Sequence, residues 1–214
     1  RAIALWPSSD AYTVLGRLYL LRARSTSAEE FYTKAHEAFS QADALNPKSA
    51  QIRNLIAFTS YAKDVRFHQP QLNASHIALL YKESLEIRPT WQAYAGLGLM
   101  QLRQGDVQSA VFNYNKSLEI AQNLEALRGL GLSLLAQGKY DEATHHFESL
   151  SKEYPGDLKV LRGLGLSLRM SGNLSASKEV FERTIRIDEN YVPGYLNLMY
   201  IHFKQDNSAY AQVM

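Results

Sequence analysis

The sequence predicts an all-α fold built from tandem pairs of helices. Three observations lead to this prediction: a short pattern recurs at nearly constant spacing, each copy closes at the same place, and the apolar residues keep the spacing of helix faces. Three segments align without gaps, from Tyr94 to Gly105, from Leu127 to Gly138 and from Leu161 to Gly172. The closing glycines lie 33 and then 34 residues apart, and a fourth copy from Tyr195 ends after 34 more with Asp206 in the glycine's place.

Within each copy the spacing predicts two helices joined by a turn. In one first helix, Leu127, Leu130 and Leu134 recur three and four residues apart and form one apolar stripe. The closing glycines suit the left-handed conformation of a helix C-cap, and Pro89 and Pro155 stop helices. The second helices carry apolar stripes of their own, which are Ala110, Tyr114, Ser117 and Leu118, then Ala143, Phe147 and Leu150, then Ser177, Phe181, Thr184 and Ile185.

A Gly-x-Gly pair recurs inside the first helices, at Gly96-Leu-Gly98 and again at residues 129–131 and 163–165. Such a pair cradles a phosphate only in a loop that follows a strand. Here it falls at the same phase of a helix each time. The glycines therefore predict a close approach of neighbouring helices rather than a nucleotide site.

Together these features resemble the tetratricopeptide repeat family, whose helix-turn-helix repeats are about 34 residues long. The residues that carry the resemblance are Leu97-Gly98, Gly105-Asp106, Ala110, Leu130-Gly131, Asp141-Glu142-Ala143, Phe147 and Pro155. The resemblance implies a right-handed α-solenoid of about five helix pairs that forms a single domain over residues 1–214. The expected repeats are residues 10–47, 48–89, 91–123, 124–157 and 158–191, with a partial repeat at 192–214.

The two ends of the chain follow the pattern less closely. The first two repeats are expected to have longer connections, namely a polar stretch from Arg22 to Glu30 and a turn near Phe67 to Asn73. The segment from Ala2 to Pro7 resembles the tail of a further helix, and Ser208 to Met214 a second helix cut short. Because the chain begins at Arg1 rather than Met, we interpret it as a fragment whose targeting segment was trimmed.

The composition argues against several kinds of chemistry. The chain has no cysteine, which excludes disulfides, zinc–thiolate sites and thiol nucleophiles. Its net charge of +2, without a dense basic run, gives no indication of nucleic-acid binding, and its apolar stretches are too short to span a membrane. The adjacent His145 and His146 point about 100° apart on a helix and cannot share a metal. We therefore expect no catalytic residues, no metal and no cofactor.

The resemblance places a partner-binding groove along the first helices. Its expected lining is Gln92, Ala95, Leu99, Leu102, Arg103, Glu125, Arg128, Leu132, Leu135, Ala136, Lys159, Arg162, Leu166, Arg169, Met170, Leu196, Tyr200, Phe203 and Lys204. These residues form a leucine and aromatic floor with an edge of arginine and lysine. The alternative interpretation is that Leu99, Leu132 and Leu166 only pack between adjacent first helices.

An apolar floor with a basic edge favours a protein or peptide partner that is amphipathic and partly acidic. Some members of the family hold a chaperone's C-terminal carboxylate with lysine and asparagine, but the matching positions here are Ala95, Leu99, Gly129 and Leu132. Three alternatives stay open: self-association into a homo-oligomer, a domain of a bacterial envelope factor for pilus assembly or polysaccharide export, and a regulatory domain of an enzyme. The sequence is compatible with the cytoplasm and with the bacterial envelope.

Overall fold

The computed structural model describes residues 7–26, 28–67 and 73–213, with side chains up to residue 205. Within these ranges the chain is helical apart from turns and caps, which confirms the predicted all-α fold. Each of the five predicted repeat ranges contains one helix pair, and a further helix follows. The helices of these ranges are α1 (Ser9–Thr26), α2 (Glu29–Leu45), α3 (Ala50–Phe67), α4 (Ala74–Ile87), α5 (Trp91–Arg103), α6 (Val107–Ile120), α7 (Leu124–Ala136), α8 (Tyr140–Glu153), α9 (Leu158–Met170), α10 (Leu174–Ile187) and α11 (Val192–Val213).

The helices form two compact units, Arg1–Ala126 and Leu127–Met214, and the division falls inside α7. In the first unit each helix from α1 to α6 packs against the next one along the chain. In the second unit α8 packs on α9, α9 on α10, and α10 on α11. Each unit is therefore built from contacts between neighbouring helices, as in repeat proteins. The single array over residues 1–214 stays a prediction.

Three of the turns between paired helices are closed by the same hydrogen bonds. Gly105, Gly138 and Gly172 have φ angles of 84°, 74° and 90°, in the left-handed region where a side chain is strained. The residue after each glycine donates its backbone N–H to the carbonyl five residues earlier, at 2.9, 3.0 and 2.9 Å. This bond defines the Schellman cap of a helix. The helix ends predicted at these glycines are confirmed.

Aromatic rings of second helices lie directly against glycines of first helices. A Cβ built on Gly131 would lie 2.6 Å from the ring of Phe147, and one built on Gly163 only 2.3 Å from the same ring. Phe147 is fully buried, so its ring fills the space that these two glycines leave open between α7 and α9. In the same way, a Cβ built on Gly165 would lie 2.6 Å from the ring of Phe181. The packing role predicted for these glycines is confirmed.

The prediction of a long polar connection from Arg22 to Glu30 is wrong. Helix α1 continues to Thr26 and α2 begins at Glu29. Ala23, in the middle of the expected connection, is fully buried. Packing of this alanine keeps the stretch helical. The flanking arginines are compatible with a helix, because arginine is a good helix former and its guanidinium group reaches solvent.

The prediction of a break between two helices near the C-terminus is also wrong. The sequence predicts a turn at Asp206 and a second helix from Ser208, whereas α11 is continuous from Val192 to Val213. Aspartate adopts the left-handed conformation less readily than glycine, so nothing interrupts the helix at this position. The helix tail expected at residues 2–7 falls, up to residue 6, outside the described part of the chain.

Candidate functional site

Helix α11 presents a row of large apolar side chains to solvent. Its inner side is marked by Gly194 and Ile201, which are buried, and α10 packs against it. Four side chains of the exposed row recur at intervals of four, three and four residues, at Val192, Leu196, Met199 and Phe203. This is the spacing by which one helix packs along another. The exposed set, here called the α11 face, has exposed fractions from 41% to 66% and comprises Val192, Tyr195, Leu196, Met199, Tyr200 and Phe203.

Two cations lie beside an aromatic ring of the α11 face. Arg169 Cζ, from α9, is 4.4 Å from the centre of the Tyr200 ring, and Lys204 Nζ is 5.9 Å from it. Both distances are within the range of cation–π attraction. The buried Arg169 Nε–H has no hydrogen-bond acceptor among the residues whose side chains are described. The described contact of this guanidinium is the one with the tyrosine ring.

The other predicted groove residues of the second unit lie along α7 and α9. Arg128 donates to Asp157 at 3.3 Å, and the two side chains are only 15% and 27% exposed. Asp157 also accepts the backbone N–H of Val160 at 2.8 Å and so caps α9. Arg128 is thus engaged in a largely buried structural pair. The side chains of Leu132, Leu135, Arg162 and Leu166 are half-buried, and those of Ala136, Lys159 and Met170 are exposed.

The predicted groove residues of the first unit lie mainly on α5. Ala95 is only 6% exposed, so it packs inside the unit and offers a partner no contact surface. Leu99 is half-buried against a core cluster, which supports the packing interpretation for this residue. Arg103 Cζ lies 5.9 Å from the centre of the Tyr61 ring. Of the others, Gln92 and Glu125 are exposed and Leu102 is half-buried.

Three residues of the α11 face were not predicted from the sequence: Val192, Tyr195 and Met199. The prediction treated α11 as the first helix of a pair and assigned part of its surface to packing against a second helix. The intervals of three and four along this helix could have identified the complete stripe. None of the described helices combines the length and the apolar character needed to cross a bilayer.

Two stretches of the chain match models of the tetratricopeptide repeat, residues 92–124 and residues 128–192. No curated protein matches the chain by sequence.

Several solved structures share the fold. YrrB, described as a TPR protein with an unusual peptide-binding site, is 17% identical, with a TM-score of 0.56 over 91% of this chain and 94% of that one. The pilF protein of Pseudomonas aeruginosa is 22% identical, with a TM-score of 0.59 over 76% and 73%. Human IFIT1, solved as a dimer with PPP-AAAA, is 15% identical, with a TM-score of 0.69 over 86% of this chain and 44% of that one. At these identities the similarity is one of fold.

Proposed function

Because this chain belongs to the tetratricopeptide repeat family, we propose that it is a protein-binding scaffold that holds an amphipathic, partly acidic helix on the α11 face. The observation that carries this proposal is the row of six exposed large side chains on one helix, with two cations beside it. A contiguous exposed apolar patch with a polar rim is typical of a protein interaction site. The peptide-binding site named for YrrB supports a peptide as the kind of partner.

The spacing of the α11 face suits a helix as its partner. From Val192 to Phe203 the stripe runs for about 16 Å along the helix axis, at 1.5 Å per residue, which corresponds to about three turns of a partner helix. Side chains at intervals of three and four leave holes into which the knobs of another helix insert. A partner with leucine or isoleucine at matching intervals would bury the stripe along its length.

The positive charges beside the stripe favour a partner that carries negative charge at the matching position. Among the described residues, neither Arg169 nor Lys204 forms an ion pair with a carboxylate. A glutamate on the partner would give Arg169 a charge-assisted hydrogen bond, and the guanidinium can bind a carboxylate in a bidentate manner. We therefore infer an acidic flank on the bound helix. Arg162 and Leu166 of α9 and Leu135 of α7, which are half-buried, stay predicted groove residues.

The roles of Phe203 and Lys204 are tested with designed helical peptides. One fluorescein-labelled peptide of three heptads carries leucine at the heptad core positions and glutamate at the flanks, and a second carries lysine at the flanks instead. We expect the glutamate peptide to bind more tightly in fluorescence anisotropy titrations. Truncation of an aromatic side chain that an interface buries costs about 2 kcal/mol, so Phe203→Ala should weaken binding about 30-fold.

Matched variants control for non-specific effects. Phe112 on α6 is 59% exposed, close to the 63% of Phe203, and also has a lysine beside it, so Phe112→Ala should leave the affinity unchanged. Lys204→Glu should weaken binding of the glutamate peptide, whereas the same change at the exposed Lys152 of α8 should not. Equal losses at Phe203 and Phe112, or tighter binding of the lysine peptide, would contradict the proposal. A dimer in light scattering that Phe203→Ala dissociates would identify a second copy of the chain as the occupant instead.

A further inference from the structure

The first unit contains a polar cavity between α2, α3 and α4. Its volume is about 440 Å³ and it is partly open to solvent. His36, Lys63 and Asp64 line it, together with Glu37 and His76. These residues belong neither to the predicted groove nor to the α11 face, so the function proposed above makes no use of them.

Asp64 is the unusual residue of this cavity. Its side chain is on the wall of the cavity, and the residue is only 7% exposed. Its Oδ2 atom is buried and accepts no hydrogen bond from any residue that the structure describes. A buried carboxylate is strongly unfavourable unless a donor or a cation pairs with it. Within the described part of the chain, this oxygen is therefore an acceptor without a donor.

The neighbouring lysine does not satisfy this carboxylate. Lys63 Nζ donates to Thr33 Oγ1 at 3.1 Å and lies 3.5 Å from a carboxylate oxygen of Glu29. Its charge is thus directed towards α2 and compensated there. Asp64 Oδ2 therefore stays without a donor among the described residues and can accept a hydrogen bond from a positive group.

His36 does not supply that positive group at neutral pH. Burial, followed by the charges of Lys63 and His76, lowers the pKa of His36, so the ring of His36 is neutral at pH 7. Glu37 adds a second carboxylate to the cavity wall. The cavity wall therefore has two carboxylates, those of Asp64 and Glu37, against the one ammonium of Lys63, and the flat His36 imidazole also lies on this wall.

We propose that this cavity binds an ammonium or guanidinium group, with Asp64 as the buried anion that receives it. The bound group donates an N–H to Asp64 Oδ2, and a planar guanidinium can in addition stack on an imidazole ring. A metal ion fits less well, because no three histidine, aspartate or glutamate side chains in the described part of the chain are placed to share one. The group can belong to a free small molecule such as a polyamine, or to a lysine or arginine side chain of a partner protein.

Isothermal titration calorimetry with three probes tests this proposal. The probes are putrescine, an end-blocked Gly-Arg-Gly peptide, and the same peptide with citrulline in place of arginine. We expect at least one charged probe to bind and the citrulline peptide not to bind. Tighter binding of putrescine assigns the site to a free small cation, and tighter binding of the arginine peptide assigns it to a partner's side chain.

The matched variants are Asp64→Asn and Asp10→Asn, the second at an exposed position of α1 in the same unit. Loss of one charge-assisted hydrogen bond should weaken binding about tenfold in Asp64→Asn and leave Asp10→Asn unchanged. Equal binding by wild type and Asp64→Asn, or no binding of either charged probe, would overturn the proposal.

Thermal unfolding separates a binding role of Asp64 from a structural one. Because asparagine has the same shape without the charge, Asp64→Asn should unfold at a higher midpoint temperature than the wild type if the carboxylate is unpaired in the free protein. A lower midpoint would show that Asp64 stabilises the fold, and would overturn the proposal. A titration with zinc chloride alone that saturates at one ion per chain, and that His76→Ala abolishes, would overturn it in favour of a metal site.

Discussion

Replacement of Gly163 by alanine tests the packing that holds the second unit together. A glycine inside a helix is less favourable than alanine by about 1 kcal/mol, so local propensity alone predicts that the variant is more stable. The added Cβ, however, would lie 2.3, 2.4 and 2.7 Å from three carbon atoms of the Phe147 ring. Since carbon atoms in favourable contact are about 3.5 Å apart, the overlap is about 1 Å.

The Phe147 ring has little room to move away from this overlap. The ring is fully buried, and Gly131 also lies against it: a Cβ built on Gly131 would be 2.6 Å from the ring. Insertion of an extra methyl group into a filled core costs about 1–3 kcal/mol, and the enclosed ring places this case near the upper limit. After the gain in helix propensity is subtracted, Gly163→Ala should lower the free energy of unfolding by about 1–2 kcal/mol.

Urea unfolding followed by far-UV circular dichroism measures this change, provided that the slopes of the transitions agree among the variants. Phe147→Leu removes part of the ring, so the double variant Gly163→Ala with Phe147→Leu should lose less stability than the sum of the two single losses. Gly156 is the control, because a Cβ there has no atom within 4 Å, and Gly156→Ala should stay within about 0.5 kcal/mol of wild type. A Gly163→Ala protein that is more stable than wild type, or strictly additive losses, would refute the packing argument.

Two further predictions concern charged groups. Arg128→Glu places a carboxylate against Asp157 in a pair that is only 15% and 27% exposed, and should lower the free energy of unfolding in urea by about 2 kcal/mol; a loss below about 0.5 kcal/mol would show that the pair contributes little. Burial, followed by the charges of Lys63 and His76, lowers the pKa of His36 below its ordinary value of 6.5. The unfolded chain therefore binds a proton at His36 more readily than the folded chain does. The stability that neutral His36 contributes is complete above about pH 6.5 and is lost as the pH falls below that value. His36→Gln should therefore reduce the fall in unfolding temperature between about pH 7.5 and about pH 5.5, and an unchanged fall would exclude His36 as its source.

The helices and their turns could be predicted from the sequence because they depend on local rules. The glycines at 105, 138 and 172 predict helix ends, since only glycine adopts a positive φ without strain, and all three have the expected angle. Where the pattern lost this glycine, at Asp206, the prediction of a turn failed for the same reason. The polar stretch around Ala23 was mistaken for a loop because the burial of Ala23 depends on tertiary packing, and α1 packs against the next helix, α2.

The lining of the candidate site could be predicted only in part. Helix phase predicts that Leu196, Tyr200 and Phe203 lie off the packing stripe, and all three are exposed; their role in binding stays a prediction. It could not show that Ala95 is buried, because exposure depends on what the next helix covers.

The amino-acid sequence by itself determined the helical class of this protein and the positions of its glycine turns, because both follow from neighbours within about one turn of helix. It also determined the spacing of the repeats, because the same pattern recurs along the chain. Only the tertiary structure decided which charges are engaged and which are not. Arg128 pairs with Asp157, 29 residues away, whereas the buried Oδ2 of Asp64 has no partner among the described residues. Pairing and burial of a side chain depend on helices far apart in the sequence, and no local pattern records them.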